Sequence, residues 1–159
     1  MYSMIMLKNK FISFLLFAIV TYSASFIGSI ATISYKEPWY SNLNKSFLTP
    51  PDWVFAPVWT TLYFLMSFAI WKVWIKSFET KLLKIYFTHL FFNSTWSVVF
   101  FGFHLIGIAL VNLVIILIFI IILMKEYFSR DKMSFYLMIP YLAWSSYALI
   151  LNSSIFLLN

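Results

Sequence analysis

Residues 98–124 read VVFFGFHLIGIALVNLVIILIFIIILM, and whether this run is one helix or the joint between two decides the fold. It belongs to an apolar region from about residue 82 to about 126, more than twice the roughly 20 residues that cross the hydrocarbon of a bilayer. Gly102, His104 and Gly107 interrupt it, so it is read as two helices, about 82–102 and 105–126, joined by a tight turn. Outward from that joint, charge and proline mark off three more apolar runs, about 11–34, 50–75 and 134–157. The expected fold class is an all-α integral membrane protein, a five-transmembrane-helix bundle, with residues 1–159 forming one membrane domain.

Composition agrees with that reading. The chain is 63% apolar and 10% charged, a balance that a soluble core of this size has no room to hide. Five crossings use roughly 100 residues and leave only short connections, of which the first, Tyr35 to Thr49, is the longest. There is no cysteine, which excludes a disulfide framework and thiolate metal ligands. The net charge of +6 does not point to nucleic acid, because the basic residues are dispersed between apolar runs. Counted by alternate sides they are asymmetric, with Lys8, Lys10, Lys72, Lys76, Lys81, Lys84, Lys125, Arg130 and Lys132 on one side and Lys36 and Lys45 on the other. The positive-inside rule then places the N-terminus in the cytoplasm and the C-terminus and first loop outside. Lys8 to Ala24 has the charged start of a signal peptide, but its apolar run continues to Ile33 without a cleavage site.

Three local patterns carry the functional reading. Before the second helix, Thr49, Pro50 and Asp52 form a capping-box pattern, and Trp53, Pro57 and Thr60 follow at i, i+4 and i+7 on one face. Pro57 lacks an amide hydrogen, so the Trp53 carbonyl is expected to lose its helical partner. Trp53 is either an interfacial anchor or part of a ligand face; Trp59, Trp71 and Trp74 read as interfacial. The third helix repeats the spacing with His89, Asn93 and Trp96. An amide in hydrocarbon needs partners, so Asn93 points inward, as an interhelical bond or a cavity group; His89 reads as a lone interfacial histidine. The fifth helix places Trp144, Ala148 and Leu151 on one face after Pro140 and Tyr141, with Asn152 nearby. Three faces pairing tryptophan with a small or polar residue suit a pocket for a planar aromatic molecule. On the first helix, Ala24 with Gly28 and Ser25 with Ser29 allow close helix approach, within the bundle or in a dimer. Catalysis is less supported. Glu37, Asp52, Glu79, Glu126 and Asp131 lie near helix ends or in loops, and no metal-ligand or nucleophile-base spacing occurs, so neither a metal nor a cofactor is expected. The absence of an internal repeat argues against an inverted-repeat transporter.

In their order these motifs resemble the translocator protein, or tryptophan-rich sensory protein, family. The resemblance rests on Trp39-Tyr40-Ser41-Asn42-Leu43-Asn44-Lys45-Ser46, Pro50-Pro51-Asp52-Trp53 and Pro57-Val58-Trp59 through Leu62-Tyr63. It continues with Asn93, Trp96, Phe100-Phe101-Gly102, Gly107, Ala109-Leu110-Val111, Pro140-Tyr141-Leu142-Ala143-Trp144 and Leu151-Asn152, and so covers about residues 25–153. It implies a five-helix bundle that binds porphyrins, haem-related tetrapyrroles and isoquinoline or benzodiazepine drugs below the first loop. Trp39, Trp53, Pro57, Asn93, Trp96, Trp144, Ala148 and Leu151 are the ligand-binding candidates. Light-dependent breakdown of protoporphyrin in some bacterial members involves tryptophans matching Trp53 and Trp144, which would be the catalytic pair if the same chemistry occurs here. Animal members bind cholesterol through a C-terminal motif ending in tyrosine and arginine; Ser153-Ser154-Ile155-Phe156-Leu157 has neither, so sterol is not expected. Ser97-Val98 replaces two prolines of many animal members, and His104 stands where an arginine is common.

The family implies a homodimer, although no seam is legible in the third helix. The Phe, Ile, Lys and Asn bias favours a bacterial inner membrane over the mitochondrial outer membrane. Three functions compete: a tetrapyrrole-binding membrane sensor or carrier, a photochemical porphyrin-degrading enzyme, and a structural membrane protein whose polar residues merely join helices.

Overall fold

The computed structural model describes residues 9–159; Lys8, counted above among the basic residues, lies outside them. The described residues form six α-helices: α1 (Lys10–Tyr35), α2 (Trp39–Asn42), α3 (Phe55–Ser77), α4 (Thr80–Ser97), α5 (Ile106–Arg130) and α6 (Lys132–Leu158). A 3₁₀ turn, Asp52–Val54, leads into α3, and a π-turn, Val98–Gly102, extends α4.

Each boundary has a local cause. Asn9 opens α1, its side-chain oxygen accepting from the amides of Phe11 (3.0 Å) and Ile12 (3.2 Å). The expected capping box before α3 is not formed. Successive prolines hold the residues before them in extended conformations, so winding begins only after Pro51, and the Thr49 hydroxyl is buried without a partner. Pro57 therefore falls in the first turn of α3, where its missing amide breaks no intrahelical bond. The break between α4 and α5 lies where the glycines predict it, but the left-handed residue is His104 (φ 57°) and no glycine. Its imidazole is stacked on Trp39, with centroids 4.2 Å apart and planes at 15°. Asp131 alone separates α5 from α6 and caps the latter, accepting from the Ser134 amide at 2.9 Å and hydroxyl at 2.6 Å.

The long helices close into a ring in the order α1, α3, α6, α5, α4, each packing on its two neighbours. Polarity is inverted relative to a soluble protein. Thr21, Ser67, His89, Asn93, Ser145 and Asn152 are buried, whereas Phe26, Ile33, Val111 and Ile121 are exposed, as expected where lipid is the solvent. By length and composition four segments are fit to cross a membrane: Lys10–Tyr35, Asp52–Ser77, Ile106–Arg130 and Lys132–Leu158. The fifth expected crossing, α4, falls short by that measure because its 18 residues include Lys81, Lys84, His89, Asn93, Ser94 and Thr95.

Ala24 and Gly28 serve packing within the bundle. A Cβ on Gly28 would stand 3.2 Å from the Ser97 hydroxyl oxygen, so this glycine sets the approach of α1 to α4. The main core, around Met66, Ile70, Tyr86, Ile120, Leu123 and Met138, fills the end of the bundle away from the first loop. A smaller cluster of Tyr40, Phe100, Phe101, Ala109 and Ile155 sits under that loop.

Candidate functional site

A cavity of about 380 Å³, bordered by members of both clusters, opens below the first loop. Its volume lies in the range of small-molecule sites. One wall is polar. Ser25, Ser29, Thr32 and Lys36 recur on one face of α1 and all line the cavity. The facing walls are aromatic: Trp59 and Tyr63 from α3, Trp96 from α4 and Trp144 from α6. Ala148 and Leu151 extend the α6 wall, and the small Ala148 leaves open space between the larger side chains.

Asn93 anchors the floor. It accepts from the Tyr63 hydroxyl and donates through Nδ2 to the Tyr141 oxygen at 2.8 Å, and Tyr141 in turn meets His89 Nε2 at 2.7 Å. The network joins α3, α4 and α6 and explains why these polar groups are tolerated in an apolar bundle. His89 is thus not interfacial as expected; it is fully buried, because the face it shares with Asn93 turns inward. Nearer the loop, Trp96 Nε1 donates to Asn152 Oδ1 at 3.3 Å, and Asn152 Nδ2 to the Ile106 carbonyl at 3.1 Å, fixing the indole plane against α6 and the start of α5.

The mouth carries charge. Lys36 pairs with Asp52, which joins the end of α1 to the entry of α3, and lies 3.7 Å from Glu37. Tyr40 descends from α2 to line the cavity between them. Burial first, then Asp52 and Glu37, push its phenol up to about 12, so it faces the cavity as a neutral group. The loop is strapped down on several sides. Asn44 and Asn159 exchange backbone and side-chain bonds of 3.0 and 3.1 Å, Tyr147 donates to the Leu48 carbonyl, and Lys45 Nζ donates to the Tyr40 carbonyl at 2.7 Å.

Of the residues singled out by sequence, Asn93, Trp96, Trp144, Ala148 and Leu151 converge on this cavity. Trp39, Trp53 and Pro57 do not line it. Trp39 packs on His104 and edge-on to Phe100 at 5.4 Å, and Trp53 is 74% exposed in the turn before α3. The α3 face presented to the cavity is Ala56, Trp59, Thr60 and Tyr63, which shares Thr60 with the expected Trp53 face but not Trp53 or Pro57. Trp59, read as interfacial, is a cavity wall, and Trp74, read likewise, is 5% exposed in the main core. Sequence reading also missed Lys36, Tyr40, Tyr63 and Ser145. A signal existed for Lys36, since Ser25, Ser29, Thr32 and Lys36 form a polar stripe at helical spacing along α1.

The arrangement is suited to holding a flat amphipathic molecule against tryptophan faces. Among the described residues no group of three or more His, Cys, Asp or Glu side chains is placed to hold a metal ion.

Comparison with known proteins gives a consistent picture. The profile of the TspO/MBR family matches residues 15–158. The chain is 36% identical over 136 residues to the tryptophan-rich protein TspO of Archaeoglobus fulgidus, covering 84% of this chain and 88% of that protein. It is 38% identical over 123 residues to the tryptophan-rich sensory protein of Cereibacter sphaeroides, covering 77% and 78%. To the human translocator protein it is 33% identical over 132 residues, covering 80% and 78%.

Proposed function

The chain belongs to the TspO/MBR family and is a multi-pass membrane protein, and from that premise we propose that it is a receptor or sensor whose cavity binds planar tetrapyrroles and isoquinoline- or benzodiazepine-type aromatics. In this reading α4 with its π-turn is the fifth crossing, its polar residues tolerated because they face the bundle interior. The basic residues near the α3–α4 and α5–α6 turns support a cytoplasmic N-terminus in a bacterial inner membrane, with the cavity mouth on the outer side. The first loop acts as its lid.

One observation carries the proposal: Trp59, Trp96 and Trp144 surround a cavity of about 380 Å³ whose opposite wall is polar and whose mouth holds Lys36. Aromatic faces stack on a conjugated ring, and Lys36, paired with Asp52 at the mouth, is the one cation among the described residues that line the cavity, for which the acidic edge of a porphyrin would compete. Light-dependent degradation is less well supported, because of its candidate pair only Trp144 lines the cavity. The test is tryptophan fluorescence during titration with protoporphyrin. Saturable quenching that weakens in Trp144→Phe supports binding in this cavity, and porphyrin loss under light but not in darkness would favour the enzymatic reading. Linear, unsaturable quenching would leave only a structural role.

A further inference from the structure

The first loop is folded as a small unit of its own. Lys45 Nζ donates to the carbonyls of Tyr40, Ser41 and Leu43 at 2.7, 3.2 and 3.1 Å, which satisfies the open end of the short α2 helix. That helix carries Tyr40, 9% exposed, onto Phe100 and Phe101, and all three rings line the cavity. Access through the mouth therefore depends on how firmly the unit is held to the long helices.

The holding is concentrated at Asn44, two residues beyond the end of α2. Its backbone amide donates to Asn159 Oδ1 at 3.0 Å, and its carbonyl accepts from Asn159 Nδ2 at 3.1 Å. Nδ2 also donates to the carbonyl of Ile155 at 2.8 Å, one turn back on α6, and the Ile155 side chain lines the cavity. A carboxamide has two donor hydrogens and an acceptor oxygen, and Asn159 uses all of them to join α6 to the backbone of a single loop residue. A second tie from α6, Tyr147 to the Leu48 carbonyl, is one bond. The Asn44 side chain adds only a 3.3 Å bond to the Leu158 carbonyl. Asn159 is exposed, so opening this clasp leaves no buried group unsatisfied and disturbs no core packing.

We propose that Asn159 is a positioning residue of the lid, whose carboxamide holds the first loop over the mouth and sets how fast ligand enters and leaves. The assignment rests on the ligand-binding reading of the cavity. Neither Asn44 nor Asn159 lines that cavity. Releasing the clasp thus lowers the barrier to passage and leaves the ligand's own contacts intact, so entry and exit quicken together and affinity is kept.

The experiment follows quenching of tryptophan fluorescence by protoporphyrin in stopped flow, with the full chain in lipid nanodiscs, for the parent, Asn159→Asp and Asn44→Ala. Aspartate matches asparagine in shape but keeps only the acceptor, so Asn159→Asp loses the bonds to the Asn44 and Ile155 carbonyls. Its association and dissociation rates should both rise about 3- to 10-fold, the range of one neutral hydrogen bond. Its dissociation constant should stay within about twofold of the parent's, with the melting temperature kept. Asn44→Ala retains both backbone bonds, and its rates should stay within about twofold of the parent's. Unchanged rates in Asn159→Asp, or an equal rise in Asn44→Ala, would overturn the assignment and leave the binding reading standing. Faster dissociation with association unchanged and a lower melting temperature would overturn it too, because that is the mark of a merely structural role. Quenching of the parent that does not saturate would overturn the binding reading and the assignment with it.

Discussion

Replacing Tyr141 by phenylalanine removes a single oxygen from the point where the buried network of the bundle converges. The ring remains fully buried and keeps its edge contact with Trp59, at 6.3 Å and 66°, so no packing is lost. Two hydrogen bonds are lost, from Asn93 Nδ2 at 2.8 Å and with His89 Nε2 at 2.7 Å. His89 is then left with neither ring nitrogen bonded, because its Nδ1 already lacks a partner. In a water-soluble core, two orphaned groups would cost about 2–6 kcal/mol. Bonds between helices in lipid are weaker, about 0.6 and at most about 1.7 kcal/mol each, because unfolded helices in the membrane find other partners. The second effect is the relevant one here, and the expected destabilisation is about 1–3 kcal/mol. Tyr63→Phe removes only the bond to Asn93 and should cost about half as much. The assay is reversible unfolding in mixed micelles of increasing SDS fraction, with both variants beside the parent. The reasoning is refuted if Tyr141→Phe lies within about 0.5 kcal/mol of the parent, the spread of an ordinary surface substitution, or if Tyr63→Phe is the more damaging.

Asp131 gives a pH signature at the opposite end. Its burial raises the carboxyl pKa, but bonds from Lys76 and Ser134, with Lys72 nearby, outweigh burial and hold it at about 2, below the ordinary 3.8. A depressed carboxylate contributes stability that is present above the unfolded value and lost as pH falls through the folded one. The parent should therefore lose stability between about pH 4 and pH 2, and Asp131→Asn, less stable at neutral pH, should show a shallower decline in the same unfolding assay; parallel curves would contradict this. A reporter fused after Asn159 should be active only when placed outside the cytoplasm, and a cytoplasm-only signal would reverse the orientation. Proteolysis within residues 36–48 should slow on saturation with protoporphyrin if the loop closes over its ligand, whereas equal cleavage rates would count against gating.

Much of the fold was legible because lipid imposes a length on every apolar run, and the joint at Gly102 to Gly107 was visible for that reason. The left-handed turn at His104 was not, since it depends on stacking with Trp39 from a distant loop. On α6 and α4 the site could be read from spacing, because Trp144 with Ala148 and Asn93 with Trp96 lie well inside regular helices. On α3 it could not. The two prolines delay the helix start and leave Trp53 exposed in the turn before α3, while the wall is formed by Ala56, Trp59, Thr60 and Tyr63. Ser145 was hidden for another reason: three other serines in the C-terminal half of α6, Ser146, Ser153 and Ser154, look alike in sequence, and only the geometry separates the one that does not bond to its own backbone.

The central claim is that the space beside Ala148 holds a planar ligand, and Ala148→Phe tests it most directly. The added ring projects into the cavity between Trp144 and Leu151, so affinity for protoporphyrin should fall at least about tenfold, equivalent to about 1.4 kcal/mol, with the melting temperature kept. A ring forced into a tightly packed contact would instead strain the bundle by about 1–3 kcal/mol and lower the melting temperature. If the variant binds protoporphyrin as tightly as the parent, in detergent and in lipid, the cavity is not the binding site.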